Sequence, residues 1–188
     1  TYVGRPEIDV PRRLAMSVLG NGLHAAGHNE DAMSVRKADL AMMRRIGGHP
    51  EPMLVGQANL ADTYNSLGRH EDGIRIERDV YYGYLKLQGD EYEHTLIAAN
   101  NYASHLKSLE RFEEAKPLLL KLIPVARRVL GDNDENTIRM RWNYAEALYE
   151  YPGATLDDLR EAVETLEELT RTARRVLGGA HPITVDIE

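Results

Sequence analysis

The chain has 188 residues, of which 43% are hydrophobic, so it is long enough and apolar enough to bury a core. Its formal net charge of -7 argues against a protein that mainly binds nucleic acid, and the absence of cysteine excludes disulfides, thiolate metal sites and cysteine catalysis. No apolar stretch is long enough to span a bilayer, so we expect no membrane insertion. The lack of cysteine also suits a reducing compartment, and we expect a cytoplasmic, intracellular location.

Apolar and small residues recur at three- and four-residue spacing along the chain, a pattern that predicts helices and no strand. In chain order the predicted helices are 11–25, 30–46, 53–67, 70–87, 94–108, 111–130, 136–150 and 155–177. The predicted buried residues are Leu54, Leu60, Ala61 and Tyr64 in the third helix and Phe112, Ala115, Leu119 and Leu122 in the sixth. The fifth and seventh helices are expected to begin near Thr95 and Thr137, with His94 or Asn136 as alternative caps.

The sequence repeats itself with a period of 42 residues. Three sets of identical residues fall in register: Gly47, Gly89 and Gly131; Asn59, Asn101 and Asn143; and Ala61, Ala103 and Ala145. Gly89 and Gly131 are expected to end helices in the left-handed conformation. The phrase ARRVLG occurs at 126–131 and again 47 residues later, which places an insertion around Pro152. We predict a single domain over 1–188, with units at 11–47, 53–89, 94–131 and 136–178 and the start of a fifth at 182–188.

The residues of each unit resemble those of the tetratricopeptide repeat. First helices carry the pattern Asn-hydrophobic-Ala-x-x-hydrophobic at 59–64, 101–106 and 143–148. Second helices carry an apolar residue and then alanine, at 112–115 and 159–162. The 42-residue length and the junctions LGDNDENTI and LGGAHPITV resemble the kinesin-light-chain type of this repeat. The resemblance implies an all-α fold, a right-handed α-solenoid of helix-turn-helix, tetratricopeptide-like repeats.

Several positions depart from the family pattern. Glu110 and Pro152 stand where Gly68 stands, and Gly73 replaces the small alanine of the second unit. Arg141 occupies a site that is usually bulky and apolar. We expect these departures to weaken local packing without changing the fold.

The resemblance implies a protein-interaction scaffold, because the first helices of such repeats line a concave groove that binds a peptide or protein partner. In this family an asparagine at the repeated register can hydrogen-bond the backbone of a bound peptide. The candidate groove residues are Asn59, Asp62, Asn100, Asn101, Lys107, Arg139, Trp142, Asn143 and Glu146. A chaperone-type carboxylate clamp is not expected, because the matching positions lack the basic residues that it needs.

Other interpretations of these residues remain open. The asparagines could form helix-to-helix hydrogen bonds that fix the spacing of the repeats, and Trp142 could pack between repeats. Glu146 could neutralise Arg139, which lies on the same helix face. Tyr81, Tyr82 and Tyr84 are expected to pack, with a second interaction surface as the alternative. The acidic residues of 157–168 are expected to form a solvated helix face.

No pattern in the sequence indicates catalysis. There is no glycine-rich phosphate loop and no hydrolase or zinc-protease motif, so we expect no enzyme activity, no cofactor and no metal. His24 and His28 have the four-residue spacing of a metal pair but lack a third ligand nearby. Two alternatives to the peptide-binding function are an architectural solenoid subunit of a larger assembly, self-associating through its repeat ends, and a regulatory domain of a larger protein.

Overall fold

The computed structural model describes residues 6–47 and 49–187, with side chains from residue 11 onward. Every regular element in these ranges is a helix. The helices are α1 (Pro6–Ala25), α2 (Asn29–Arg45), α3 (Pro50–Ser66), α4 (His70–Gln88), α5 (Glu93–Ser108), α6 (Phe112–Val129), α7 (Glu135–Tyr149), α8 (Leu156–Val176) and α9 (Pro182–Ile187). The eight predicted helices correspond to α1–α8, and α1 begins earlier than predicted. The sequence pattern therefore predicted the helical class and the order of the helices.

α5 and α7 begin close to Thr95 and Thr137, as predicted, but their caps are not the predicted residues. Their N-caps are Tyr92 and Asp134. The Asp134 carboxylate accepts a 2.8 Å hydrogen bond from the backbone N–H of Asn136, because an acidic side chain in extended backbone satisfies a free N–H of the first turn. The prediction that His94, Asn136 or the following threonines cap these helices is therefore wrong. Thr95 and Thr137 are instead fully buried within the helices.

Most helices are followed by a residue in the left-handed conformation. These residues are Gly27, Gly47, Gly68, Gly89, Glu110, Gly131 and Gly178. The values of φ at Gly89 and Gly131 are 84° and 98°, which confirms the helix ends predicted there. Glu110 has φ of 58°, although its Cβ makes this conformation unfavourable by about 1 kcal/mol. A left-handed residue thus ends α5 as it ends α3, whichever residue type occupies the position.

The connection between α7 and α8 is the exception to this pattern. Pro152 lies 21 residues after Gly131, as Glu110 lies 21 residues after Gly89. Because the proline ring fixes φ near -65°, Pro152 cannot adopt the left-handed conformation. The chain instead takes a longer connection and begins α8 with a capping box, in which Thr155 and Asp158 exchange side-chain and backbone hydrogen bonds. The inserted residues are therefore accommodated outside the helices.

The chain forms two compact units, 1–83 and 84–188. In the first unit, α2 packs against both α1 and α3. Its core cluster consists of Met33, Leu40, Met43, Leu60 and Tyr64. The predicted burial of Leu54, Leu60, Ala61 and Tyr64 is confirmed. A Cβ at Gly73 would lie 2.2 Å from the Asn65 side-chain oxygen, so the Asn65 amide fills the space that the family's alanine would occupy.

In the second unit, α6 packs against α5 and α7, and α7 packs against α5 and α8. The predicted burial of Phe112, Ala115, Leu119 and Leu122 is confirmed. A further cluster joins α7, α8 and α9 through Ile138, Leu169, Ala173, Ile183 and Ile187. α6 remains one helix although Pro117 and Pro124 lie inside it.

Arg141 is a charged residue at a core position of α7. It is 7% exposed and contacts Glu168 of α8 through two hydrogen bonds of 2.6 and 3.3 Å. This fork-shaped pairing neutralises the guanidinium, and the hydrogen bond from Arg141 lowers the pKa of Glu168. The charged residue is thus tolerated at this position because its head group reaches a carboxylate at the surface.

Candidate functional site

The predicted asparagines of the second unit lie where α5 and α7 pack together. Asn143 donates a 2.9 Å side-chain hydrogen bond to the side-chain oxygen of Asn100. The two residues are 5% and 3% exposed, respectively. The bond is a helix-to-helix contact, the alternative that the sequence left open. It uses one of the two N–H groups of the Asn143 amide, which leaves a second N–H group on the same side chain.

Lys107, Glu146 and Trp142 form a second group on the same two helices. The Lys107 ammonium on α5 forms an ion pair with the Glu146 carboxylate on α7. The same ammonium lies 5.9 Å from the centroid of the Trp142 ring, within range of a cation–π contact. Trp142 is half-buried and packs against the cluster formed by α7, α8 and α9. The structure therefore brings these three predicted residues together.

Glu146 does not pair with Arg139, which the sequence had left open as one possibility. Arg139 donates a 2.8 Å hydrogen bond to Glu135, one turn earlier on α7. Glu146 is engaged by Lys107 from the neighbouring helix instead. The difference arises because a sequence shows the neighbours on one helix but not the charges that a packed helix brings alongside. Arg139 is half-exposed and remains reachable from solvent.

The remaining candidates have different surroundings. Asn101 is half-buried on α5, next to the Asn100–Asn143 bond in sequence. In the first unit, the backbone carbonyl of Asn59 accepts hydrogen bonds from Thr63 and from Arg36. The Asp62 carboxylate lies 2.8 Å from Nε2 of His24.

His24 lies on α1 and His28 is the N-cap of α2. The second ring nitrogen of His24, Nδ1, lies 2.9 Å from the side-chain oxygen of Asn29. Both ring nitrogens therefore face oxygen atoms of the chain. Within 6–47 and 49–187, no group of three or more potential metal ligands occurs.

Two acidic residues of α8, Asp158 and Glu161, accept hydrogen bonds from side chains of other helices. Asp158 accepts a 2.9 Å hydrogen bond from Lys116, and hydrogen bonds from Thr155 and Lys116 hold the pKa of Asp158 well below its usual range. Glu161 accepts a hydrogen bond from Tyr144, and burial together with this carboxylate raises the pKa of Tyr144 to about 12. The exposed side chains of Asp157, Glu161, Glu164, Glu167 and Glu168 agree with the predicted solvated face. Asp158 is the exception, because it is half-buried and Lys116 of α6 reaches it.

The three tyrosines of α4 divide into two kinds. Tyr81 and Tyr84 are buried, as the packing interpretation predicts. Tyr82 is exposed and stacks at a tilt on Tyr81, with ring centroids 4.9 Å apart. Only this ring is available to solvent for an interaction.

Comparison with known proteins identifies the repeat. Residues 94–153 match the family model described as tetratricopeptide repeat. Residues 94–153 therefore carry tetratricopeptide repeat sequence. The match covers the Asn100–Asn143 bond and the Lys107, Trp142 and Glu146 group, so these candidate residues all lie within recognised tetratricopeptide repeats. A comparison with curated protein sequences gives no significant match.

Solved structures show the same fold over most of the chain. A Podosopora anserina protein described as a kinesin light chain with nearly identical TPR-like repeats superposes with a TM-score of 0.76 and 20% identity, covering 94% of this chain and 81% of that one. A second structure of such repeats from Podosopora anserina gives 0.74 and 20%, covering 94% and 82%. BtubC (BKLC) from P. vanneervenii gives 0.68 and 15%, covering 92% and 75%. The chain thus shares the all-α solenoid fold of these TPR-like repeat structures.

The tetratricopeptide fold narrows the kind of function. Tetratricopeptide repeats are generally protein-interaction modules, and the fold is a non-catalytic scaffold type whose partners are proteins. Across the described part of the chain, no helix is both long and apolar enough to cross a membrane.

Sequence reasoning missed two charged residues of the first unit. Arg36 and Asp39 are both buried on α2, between the core positions Met33 and Met43. Their spacing from these methionines places them on or beside the apolar face of the helix, which was the available signal. They line a cavity of about 500 Å³ together with residues of α1 and α3. This cavity is a second candidate site, independent of the residues on α5 and α7.

Proposed function

We propose that this chain is a protein-interaction module whose second unit binds a peptide segment of a partner along α5 and α7. The observation that carries the proposal is the half-buried Trp142 ring, beside which Lys107 of the neighbouring helix lies. A tryptophan fixed by packing on one side and open on the other can cover a partner's apolar side chain at little entropic cost. It is the only tryptophan of the chain.

The polar groups around Trp142 suit a peptide backbone. Asn101 on α5 is half-buried, and its amide can pair with a peptide carbonyl, whereas the Asn143 amide is buried in its bond to Asn100. Lys107 and Glu146 neutralise each other, so the face has no strong charge of one sign. We therefore infer a partner segment with an apolar anchor and little net charge. Asn101 and Arg139 are proposed to lie at its margin. Asn59 and Asp62 are the corresponding candidates on α3 of the first unit.

Capture from a cell lysate, followed by mass spectrometry, tests this function if three chains are compared. The parent and Leu120→Ala should capture the same proteins, because Leu120 is an exposed apolar residue on α6, away from the proposed face. Trp142→Ala should lose them, with a Kd for the isolated partner weaker by about 2 kcal/mol. Asn101→Ala should weaken it by about 1 kcal/mol. The proposal fails if variants that melt like the parent capture the same proteins as the parent.

An assembly function is the second candidate, and one observation favours it. Leu156, Leu159 and Val163 are exposed at helical spacing along one side of α8. A second copy or another subunit that covers this stripe would make the chain an architectural element. Multi-angle light scattering decides this point: a concentration-dependent mass above 21.2 kDa that Val163→Glu abolishes would favour assembly, whereas a monomer at every concentration would exclude self-association.

We also propose the domain organisation that the sequence predicts, one repeat array over 1–188. The continuous helix α4 supports it, since α4 begins in the first unit and ends in the second. Calorimetry should then show one unfolding transition. Two well-separated transitions would mean that the units fold independently.

A further inference from the structure

The first unit contains a cavity that the proposed function does not use. It has a volume of about 500 Å³, within the range of pockets that hold small ligands or amino-acid side chains. It is lined by side chains of α1, α2 and α3. Arg36 and Asp39 of α2 belong to this lining, and both are more than nine-tenths buried. The cavity is therefore built around buried charge.

Arg36 has only neutral hydrogen-bond acceptors. It donates to the backbone carbonyl of Asn59, to the hydroxyl of Thr63 and to the side-chain oxygen of Asn21. Its Nε has no partner, and a guanidinium carries five N–H groups. Burial lowers the pKa of Arg36 and outweighs the opposite effect of the Asp62 carboxylate, which forms no hydrogen bond or ion pair with Arg36. A buried cation without a carboxylate in contact is unfavourable, and an added carboxylate would compensate it.

The acidic groups of the cavity do not supply that carboxylate. The closest approach of Asp39 is to Arg13, with Oδ1 3.8 Å from Nε, so these two residues form their own loose pair. Glu51 lines the cavity as well and already has an interaction within the chain. Because Arg13 and Asp39 pair with each other, Arg36 is the cation of the cavity that can pair with a ligand.

The rim of the cavity is apolar on both sides. Leu14 of α1 is 67% exposed and Val55 of α3 is 46% exposed, and both line the cavity. A ligand that places a carboxylate inside can therefore also contact the exposed apolar side chains of α1 and α3 that line the cavity. A peptide with an acidic residue between two aliphatic residues has this arrangement, because the chain continues in both directions from the acidic side chain.

We propose that the cavity of the first unit binds an acidic side chain of a partner peptide, with Arg36 pairing the carboxylate and Leu14 and Val55 covering its aliphatic neighbours. The inference rests on the proposed function in one respect, that the partner is a peptide. It assigns a site in a different unit, with its own residues and its own ligand chemistry.

The test uses the full chain and three tripeptide probes. Acetylated and amidated Leu-Glu-Leu is the proposed ligand, the same peptide with glutamine removes the charge, and acetylated Leu-Gln-Leu with a free carboxyl end moves the charge to the terminus. Binding is followed by NMR of labelled methionine methyl groups. Met16 and Met43 line the cavity, whereas Met140 is buried in the second unit and serves as an internal control.

We expect the glutamate peptide to bind at least about tenfold more tightly than the glutamine peptide and to shift Met16 and Met43 but not Met140. Leu14→Glu should weaken its binding at least fivefold, since the new carboxylate repels it. Leu19→Glu is the matched control and should change binding less than twofold, because Leu19 is exposed on the same helix but does not line the cavity. Neither change touches the core, so folding is preserved.

Four results would overturn the inference: equal binding of the glutamate and glutamine peptides, tighter binding of the peptide with the free carboxyl end, larger shifts at Met140 than at Met16 and Met43, or no binding at millimolar peptide. Trp142→Ala should bind the glutamate peptide as the parent does. A failure of the proposed α5–α7 site would therefore leave this result unchanged, and the two proposals are tested separately.

Discussion

The side chain of Asn143 on α7 donates a 2.9 Å hydrogen bond to the side chain of Asn100 on α5, and both residues are almost completely buried. The bond joins the first helices of successive repeats. Because both amides are withdrawn from water, the loss of either one leaves a buried polar group without its partner. The position of α5 relative to α7 thus depends on a polar contact as well as on apolar packing.

This contact predicts strong coupling between the two asparagines. Asn143→Ala and Asn100→Ala should each lower the free energy of unfolding by about 1–3 kcal/mol in urea titrations. The double variant should be less destabilised than the sum of the single variants by about 1 kcal/mol. Asn101→Ala, beside the pair in sequence, should cost less than about 0.5 kcal/mol. Additive single effects would mean that the bond contributes nothing of its own.

Glu110 predicts a stabilising substitution. Its φ of 58° is unfavourable for a residue with a Cβ, so Glu110→Gly should raise the free energy of unfolding by about 0.5–1 kcal/mol, after allowance for the greater freedom of glycine in the unfolded chain. The equivalent position in the first unit is the control. Gly68→Ala, at φ of 71°, should lower stability by about 1 kcal/mol, and a gain there would contradict the explanation.

Glu77 predicts a loss of stability at alkaline pH. It is 2% exposed on α4, and burial raises its pKa from 4.5 to about 8, with a smaller contribution from Asp62. Since the folded chain holds this proton more tightly than the unfolded chain, its contribution to stability is complete below pH 4.5 and is lost as the pH rises through about 8.

Thermal melts at several pH values between 5 and 9 measure this effect. Glu77→Gln keeps the shape of the side chain without the charge, so its Tm should fall less than that of the parent over this range. Glu71→Gln, exposed on the same helix, should retain the parent's pH dependence. If Glu77→Gln and the parent lose the same stability, then Glu77 does not titrate with a raised pKa.

The Arg141–Glu168 pair predicts different outcomes for its two members. Glu168→Ala leaves the buried guanidinium unpaired and should destabilise the chain by about 1–2 kcal/mol, below the range for fully buried pairs because Glu168 is half-exposed. Arg141→Leu removes the buried charge and should stay within about 1 kcal/mol of the parent. Glu167→Ala, an exposed neighbour, should be neutral. Chemical denaturation measures these changes in stability. Equal losses for Glu168→Ala and Arg141→Leu would contradict this assignment.

The fold was predictable because its signals are local and repeated. The register of Gly89 and Gly131 marked two helix ends, and the three- to four-residue spacing of Phe112, Ala115 and Leu119 marked a buried face. The same pattern recurs in each repeat, so a weak signal in one repeat is supported by the signals in the others. This redundancy is why the helix order followed from the sequence alone.

The partners of individual side chains were less predictable. The sequence left open whether Glu146 neutralises Arg139 on the same helix face, but Lys107 reaches Glu146 from α5 and Arg139 pairs with Glu135. Such pairs depend on which turns of two packed helices lie side by side, and the period of a repeat does not specify this. Arg36 was missed for a related reason, since its burial depends on α1 and α3 as well as on its own helix.

The exclusion of a left-handed residue at Pro152 has a practical consequence for labelling. The α7–α8 connection is longer than the other connections, and Pro152 and Gly153 within it are exposed. The preceding residue, Tyr151, packs beside Phe112 of α6, with the two ring centroids 6.1 Å apart. A short epitope or fluorophore tag inserted after Gly153 therefore lengthens the chain where no helix has to shift, and α8 can still begin at its own capping box.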